Sequence, residues 1–228
     1  MTAVSRHAAL VSVSLAALVA AGCGSTTTVT QTVTQTVTTT PAKKTARVYF
    51  MRDGKVGPVG RELETVDRAS LLAAVAAGPI DAERAIGFTQ GEATERTAEE
   101  VYTLSQFAPK QAVDVGGKSY TRADFEDLTP LILVESPLPF ASVTSPLRVW
   151  GTANTFEATF EYELLDSAGK ALAKHFVTAT SGSGTRGTYD VTIRFASPGG
   201  EGKLVVYELS AADGSRIHQV EIPLTLTR

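Results

Sequence analysis

Few side chains in this sequence have the types and spacing that do chemistry. Glu157, Glu161 and Glu163 fall on one face of an alternating run, and paired carboxylates can serve acid–base catalysis or hold calcium. The same spacing also describes the solvated face of an antiparallel strand, and that is the expectation here. His7, His175 and His218 match neither HExxH nor His-x-His spacing, so no metal site is expected. There is no G-x-S-x-G elbow, Walker sequence or dinucleotide fingerprint. The glycine-rich stretch Ser181–Gly187 is flanked by strands rather than by a strand and a helix, and reads as a mobile loop. Cys23 is the only cysteine, so it has no intramolecular disulfide partner and makes a poor metal site alone. Its chemistry has to come from its position. No catalytic residue and no cofactor is expected.

The carboxylates belong to the stretch around which the chain is organised, Ile132 to Asp166. It begins as an apolar strand, Ile132 to Glu135, and crosses Ser136-Pro137 and Ser145-Pro146, which forbid helix. Phe156, Ala158, Phe160, Tyr162 and Leu164 then alternate with polar residues, which predicts a half-buried strand. Asp166 to Lys170 predicts a hairpin turn and Ala171 to Thr180 the returning strand. Tyr189, Val191, Ile193 and Phe195 point inward from the next strand. Lys203 to Leu209 is apolar on both faces, as a central strand would be. Ile217 to Leu226 closes the sheet with Val220, Ile222, Leu224 and Leu226 inward. About seven strands with turns roughly every ten residues predict a β-sandwich. Trp150, the only tryptophan, is expected in or near its core.

Ahead of the sandwich the pattern mixes helix and strand. Arg47–Met51 and Val56–Leu63 predict strands joined by an Asp-Gly turn. Asp67 caps a helix running to Ala77, stopped by Gly78-Pro79. Thr97 and Glu100 predict a capping box for a second helix with Val101, Leu104 and Phe107 buried. Val113 and Val115 begin a strand, and Thr121 with Asp124 predicts a short helix to Leu128. Ile80 to Arg96 is polar and cannot supply two core strands. The small sheet is therefore expected to have an open edge, either covered by this segment or used for a partner. The run from Pro130 into Ile132 leaves little slack between the two parts.

The N-terminus reads as an address. Residues 1–22 form a leader with Arg6 as its basic start and an apolar run too short for a membrane span. Leu18-Val19-Ala20-Ala21-Gly22-Cys23 resembles a bacterial lipobox, which implies that Cys23 is lipidated and anchors the chain to the membrane on its extracytoplasmic face. Residues 23–45 are Thr-rich, with little to bury, and read as a tether. The net charge of −3 offers no basic patch, so nucleic acid is not expected as a partner.

Two resemblances follow from the quoted residues. Ser136, Pro137, Val143, Ser145, Pro146, Gly151, Ala153, Asn154, Phe156, Glu157, Ser210, Asp213 and Gly214 stand in a pattern similar to the Gmad2 domain, an immunoglobulin-like module of spore-germination and sporulation proteins. VYFMRDGKVGPVGREL with LLAAVAAGP, and later EEVYTLSQFAPKQAVDV, resembles a GerMN domain shortened in its middle. The resemblances imply an α+β GerMN-like module at 46–130 and an all-β immunoglobulin-like sandwich at 131–228. They also imply a non-catalytic scaffold for an envelope protein partner, related to sporulation or germination. A carbohydrate- or peptidoglycan-binding accessory protein is the other reading. A row of exposed aromatics would favour it, and the expected inward positions of most Phe and Tyr leave few.

Overall fold

The computed structural model describes residues 42–228, and all that follows concerns them. Strand β1 (Lys44–Arg52) turns through Asp53-Gly54 into β2 (Lys55–Leu63). Helices α1 (Arg68–Ala77) and α2 (Asp81–Ala85), the two-residue strand β3 (Phe88–Thr89) and helix α3 (Thr94–Leu104) follow. A hairpin of β4 (Val113–Val115) and β5 (Lys118–Tyr120) leads into kinked 3-10 turns at Arg122–Leu128. The second part contains β6 (Ile132–Ser136), β7 (Ser142–Val143), β8 (Leu147–Ala153), β9 (Thr159–Asp166), β10 (Ala171–Thr178), β11 (Gly187–Ile193), β12 (Gly200–Leu209) and β13 (Arg216–Leu226). The first strand begins at Lys44, two residues inside the expected tether, because Lys44 and Thr45 pair with Leu63 and Glu62.

The second part is two packed sheets, β10-β9-β12-β13-β7 and β11-β8-β6. Between them lie Ile132, Val149, Phe160, Leu164, Tyr189, Ile193, Leu204, Val206, Ile222 and Leu226. Strand β12 lies third of five, and Leu204 to Tyr207 are buried on both faces, as their continuous apolar run requires. The inward sets of β11 and β13 follow the period-two reading. The start of β9 does not. Glu157 and Ala158 have positive φ, so a 3-10 turn replaces the first three residues of the expected strand and Phe156 is 66 % exposed.

The first part packs α1 and α3 against β2-β1-β3. Asp67 accepts from the Ser70 amide while Ser70 Oγ accepts from Asp67 N–H, a reciprocal cap for α1. Helix α3 starts at Thr94, ahead of Thr97, its expected cap. Ala93, in a left-handed turn, precedes it, and Thr97 lies inside the helix donating to the Ala93 carbonyl. Phe107, expected in the core, is 72 % exposed beyond the helix end.

The Ile80–Arg96 segment is structured. Glu83 takes both arms of Arg61 and the Ile80 amide, pinning α2 to β2. Phe88 and Thr89 pair with Arg52 and Met51, extending the sheet beyond β1. Helix α3 covers the rest of that edge. Glu99 and Thr103 on one face of α3, with Gln106 just past its end, accept from the N–H groups of Met51, Tyr49 and Arg47. Gln106 Nε2 also donates to the Arg47 carbonyl. The edge expected to be open is thus satisfied by polar side chains, and a partner strand has no room there.

Candidate functional site

Strand β6 joins the two parts by facing both ways. Ile132 and Val134 enter the sandwich core, while Leu133 packs with Tyr49, Tyr102 and Phe125 of the first part. The next residue on Leu133's face is Glu135, and its carboxylate is almost wholly enclosed, at 2 % exposure. Tyr49 Oη donates to one carboxylate oxygen and Arg122 Nη1 to the other. Arg47 Nε lies 3.1 Å from Glu135 Oε2, a charge contact outside hydrogen-bond alignment. Arg122 is held further by Ser105 Oγ at 2.8 Å and the Tyr102 carbonyl at 3.0 Å, with its guanidinium 4.5 Å above the Tyr102 ring. Burial, then the Glu135 charge, pushes the Tyr49 phenol well above its ordinary range. Burial alone would lower the Arg122 pKa, but Tyr49 and Glu135 beside it hold it above its ordinary value. This centre sets one carboxylate against two guanidinium groups and a phenol. Its chemistry is to fasten one part to the other.

A second tie lies nearby. Glu126, in the linking turns, receives Arg186 from the loop before β11 and Asn154 Nδ2 from the end of β8. Burial would raise this carboxyl, but the Arg186 and Asn154 hydrogen bonds bring it below the ordinary Glu value. The Ser181–Gly187 loop is correspondingly packed rather than mobile. The Ser183 amide donates to the Thr155 carbonyl, the Gly184 amide donates to Asn154 Oδ1, and a Cβ on Gly182 would meet the Thr155 carbonyl at 2.4 Å.

Two openings flank the junction. A cleft of about 510 Å³ is walled by β2 (Val56–Pro58), β6 with Leu131, and β13 (His218–Val220), with Arg52 and Phe88 at its side. A shallower groove of about 860 Å³ runs over β8 and β11 beside the segment after α3. Trp150 lines this groove half-buried, with the Arg47 guanidinium 4.7 Å over its ring. It faces the first part and not the sandwich core, because Val149 and Gly151 occupy the alternate positions of β8. Thr178, Thr180, Thr188 and the Arg148–Asp190 pair complete the wall.

The residues singled out by sequence are dispersed. Cys23 and its lipidation lie outside the described residues, as do the leader and most of the tether. Glu157 leaves the strand and donates its amide to Ser183 Oγ. Glu161 and Glu163 stay together, but not as a solvated face. Glu163 is buried, taking Tyr207 Oη at 2.9 Å, Arg216 at 2.7 Å and Lys174 at 3.0 Å. Burial would raise this carboxyl, and the hydrogen bonds from Lys174, Tyr207 and Arg216 lower it. His175 is exposed on β10, while His218 Nδ1 meets Glu208 Oε2 at 2.6 Å on β13, with β9 and β12 between the two strands. Among the described residues no cluster of three or more potential metal ligands forms, and no helix is long and apolar enough to cross a membrane. Phe107, Phe140, Phe156 and Phe176 are exposed, more aromatic surface than the inward pattern implied.

Sequence reasoning missed Glu135 and Glu99. Each had a signal: Glu135 closes an otherwise apolar strand, and Glu99 shares a helix face with Thr103, ahead of Gln106 past the helix end. No curated protein matches the chain. Residues 131–215, from the start of β6 to the turn before β13, match the model of the Gmad2 family, described as the immunoglobulin-like domain of bacterial spore germination.

Proposed function

We propose that the chain is a non-catalytic binding and scaffolding module of a bacterial envelope, held at the extracytoplasmic face of the membrane through lipidated Cys23. The N-terminal part is a shortened GerMN-like domain in this reading, and the partner is an envelope protein of sporulation or germination. The observation that carries the proposal is the Glu135 centre. It fuses a Gmad2 domain to the preceding helices and strands, so that both contribute walls to one surface cleft. A fused surface suits recognition in a way that two loosely linked domains do not.

Crosslinking in intact cells tests this, comparing the native chain with Cys23→Ala. Capture of one defined envelope protein by the anchored form alone supports it. Absence of a fatty-acid label on the native chain refutes the anchor, and equal capture by both forms refutes its role.

The groove beside Trp150 favours a second reading, a peptidoglycan- or carbohydrate-binding accessory protein, because an aromatic ring beside threonine hydroxyls suits a sugar. Quenching of Trp150 fluorescence by muropeptides would support it, and no response to them would remove it.

A further inference from the structure

The groove of about 860 Å³ over β8 and β11 holds a local excess of positive charge. Its acidic lining residues are Glu135 and Asp190, and both already have cations against them. Arg148 donates to both oxygens of Asp190, while Arg122 and Arg47 stand against Glu135. Arg186, which reaches the lining Thr152 Oγ1 at 3.3 Å, is matched by Glu126. Lys110, exposed on the segment after α3, adds a further cation. Lys110, Arg148, Arg47 and Arg122 thus face only Glu135 and Asp190, in a chain whose formal net charge is −3.

The arrangement leaves Arg47 incompletely used. Its Nε is a buried donor without a hydrogen-bond partner, and its guanidinium lies 4.7 Å over the Trp150 ring. A ligand therefore meets the indole beside a fixed cation and not as a bare stacking platform. Thr178, Thr180 and Thr188 add hydroxyls to the lining. Thr180 Oγ1 accepts the Thr188 amide at 2.9 Å, and the two hydroxyl oxygens lie 3.3 Å apart, which fixes them in place. Each of these hydroxyls both donates and accepts, as a sugar hydroxyl does.

We infer that this groove binds a sugar that carries an anionic group, a carboxylate or a phosphate. This rests on the carbohydrate-binding reading of the chain, and it names the class of sugar. The anion is drawn toward Arg47 and Lys110, where a charge-assisted hydrogen bond exceeds a neutral one. The threonine hydroxyls bond the hydroxyls of the sugar ring. A neutral sugar gains only the second set of bonds and finds the indole face under Arg47 already covered.

The test titrates the purified full chain and follows the fluorescence of Trp150, the only tryptophan. The anionic probes are N-acetylmuramic acid and a hexose phosphate, glucose 6-phosphate. The controls are neutral N-acetylglucosamine, glucose, and inorganic phosphate alone. At least one anionic sugar should bind about tenfold or more tightly than its neutral counterpart, and which one binds tells carboxylate from phosphate. Its affinity should fall as salt rises from about 0.01 M to about 0.15 M. Lys110→Glu, at an exposed position that leaves the fold alone, should weaken it by about threefold or more, and the salt series on the native chain needs no variant. Neutral sugars that bind as tightly as the anionic ones would overturn the inference and leave the carbohydrate reading standing. Inorganic phosphate matching the sugar phosphate would overturn it as well, since the groove would then hold an anion without recognising a sugar. So would an affinity that neither salt nor Lys110→Glu changes. No response to any sugar would remove the carbohydrate reading together with the inference.

Discussion

Two buried carboxylates, one in each part of the chain, are handled in opposite ways. Glu135, on β6, has a hydrogen-bond donor for each oxygen and two arginines in contact. Glu99, on α3, has no exposed surface; one oxygen accepts from the Gly91 amide at 2.7 Å and the Met51 amide at 3.2 Å, and the other has no hydrogen-bond partner. Arg96 Nε stands 3.5 Å from that second oxygen. Glu135 is a charge matched in place. Glu99 is one that burial pushes up to about 7, against the lowering effect of the Gly91 amide, Arg96 and the Met51 amide. The contrast teaches that burial alone does not decide a carboxylate's role: the donors around it do. Glu135 fastens the junction, whereas Glu99 ties stability to pH.

The largest effect is expected from breaking the matched charge. Glu135→Ala leaves Arg122 buried beside Tyr49 without its anion and should cost about 3–5 kcal/mol in urea unfolding. Replacing both partners by Arg122→Met with Glu135→Met should recover a large part of that loss. A single variant within 1 kcal/mol of native would contradict the role given to the centre.

Glu99 should show its difference through pH. A carboxyl whose folded pKa is raised binds its proton more tightly when folded. Stability is therefore greatest below the ordinary value of 4.5 as far as this group is concerned, and falls as pH rises through about 7. The loss across that window is about 3 kcal/mol, and Glu99→Gln should flatten it. Gln keeps the carbonyl that receives the Gly91 and Met51 amides, so the slope changes more than the fold. Thermal unfolding between pH 4.5 and 7.5 reads it, and an unchanged slope in the variant would remove Glu99 as the cause.

Smaller effects lie on the outer faces of the two sandwich sheets. Tyr207→Phe removes the hydroxyl shared by Glu161 and Glu163 and should cost about 1 kcal/mol. Arg148→Ala, whose partner Asp190 is solvent-exposed, should leave the melting temperature unchanged.

Much of the sandwich was legible because its strands obey period two. Tyr189, Val191 and Ile193 on β11, and Ile222, Leu224 and Leu226 on β13, lie where alternation puts them. Asp67 and Gly78 likewise bound α1 as their cap chemistry dictates. Misreadings came where a local backbone turn broke a pattern. Positive φ at Glu157 and Ala158 threw Phe156 outward, and the same at Ala93 started α3 without a capping side chain. The polar stripe Glu99–Thr103–Gln106 has the composition of a solvated face, and only its contact with β1 shows that it replaces a strand. Glu135 was hidden for a related reason: its partners Arg47, Tyr49 and Arg122 are distant in sequence and meet only after folding.

The central claim is that the two parts unfold as one body because Glu135 joins them. Trp150 is the only tryptophan and sits at the junction under Arg47, whereas the α-helices among the described residues all belong to the first part. Urea unfolding followed by Trp150 fluorescence and by helical circular dichroism should give coincident transitions in the native chain and separated ones in Glu135→Ala. Separated transitions in the native chain, or coincident ones in both, would contradict the account.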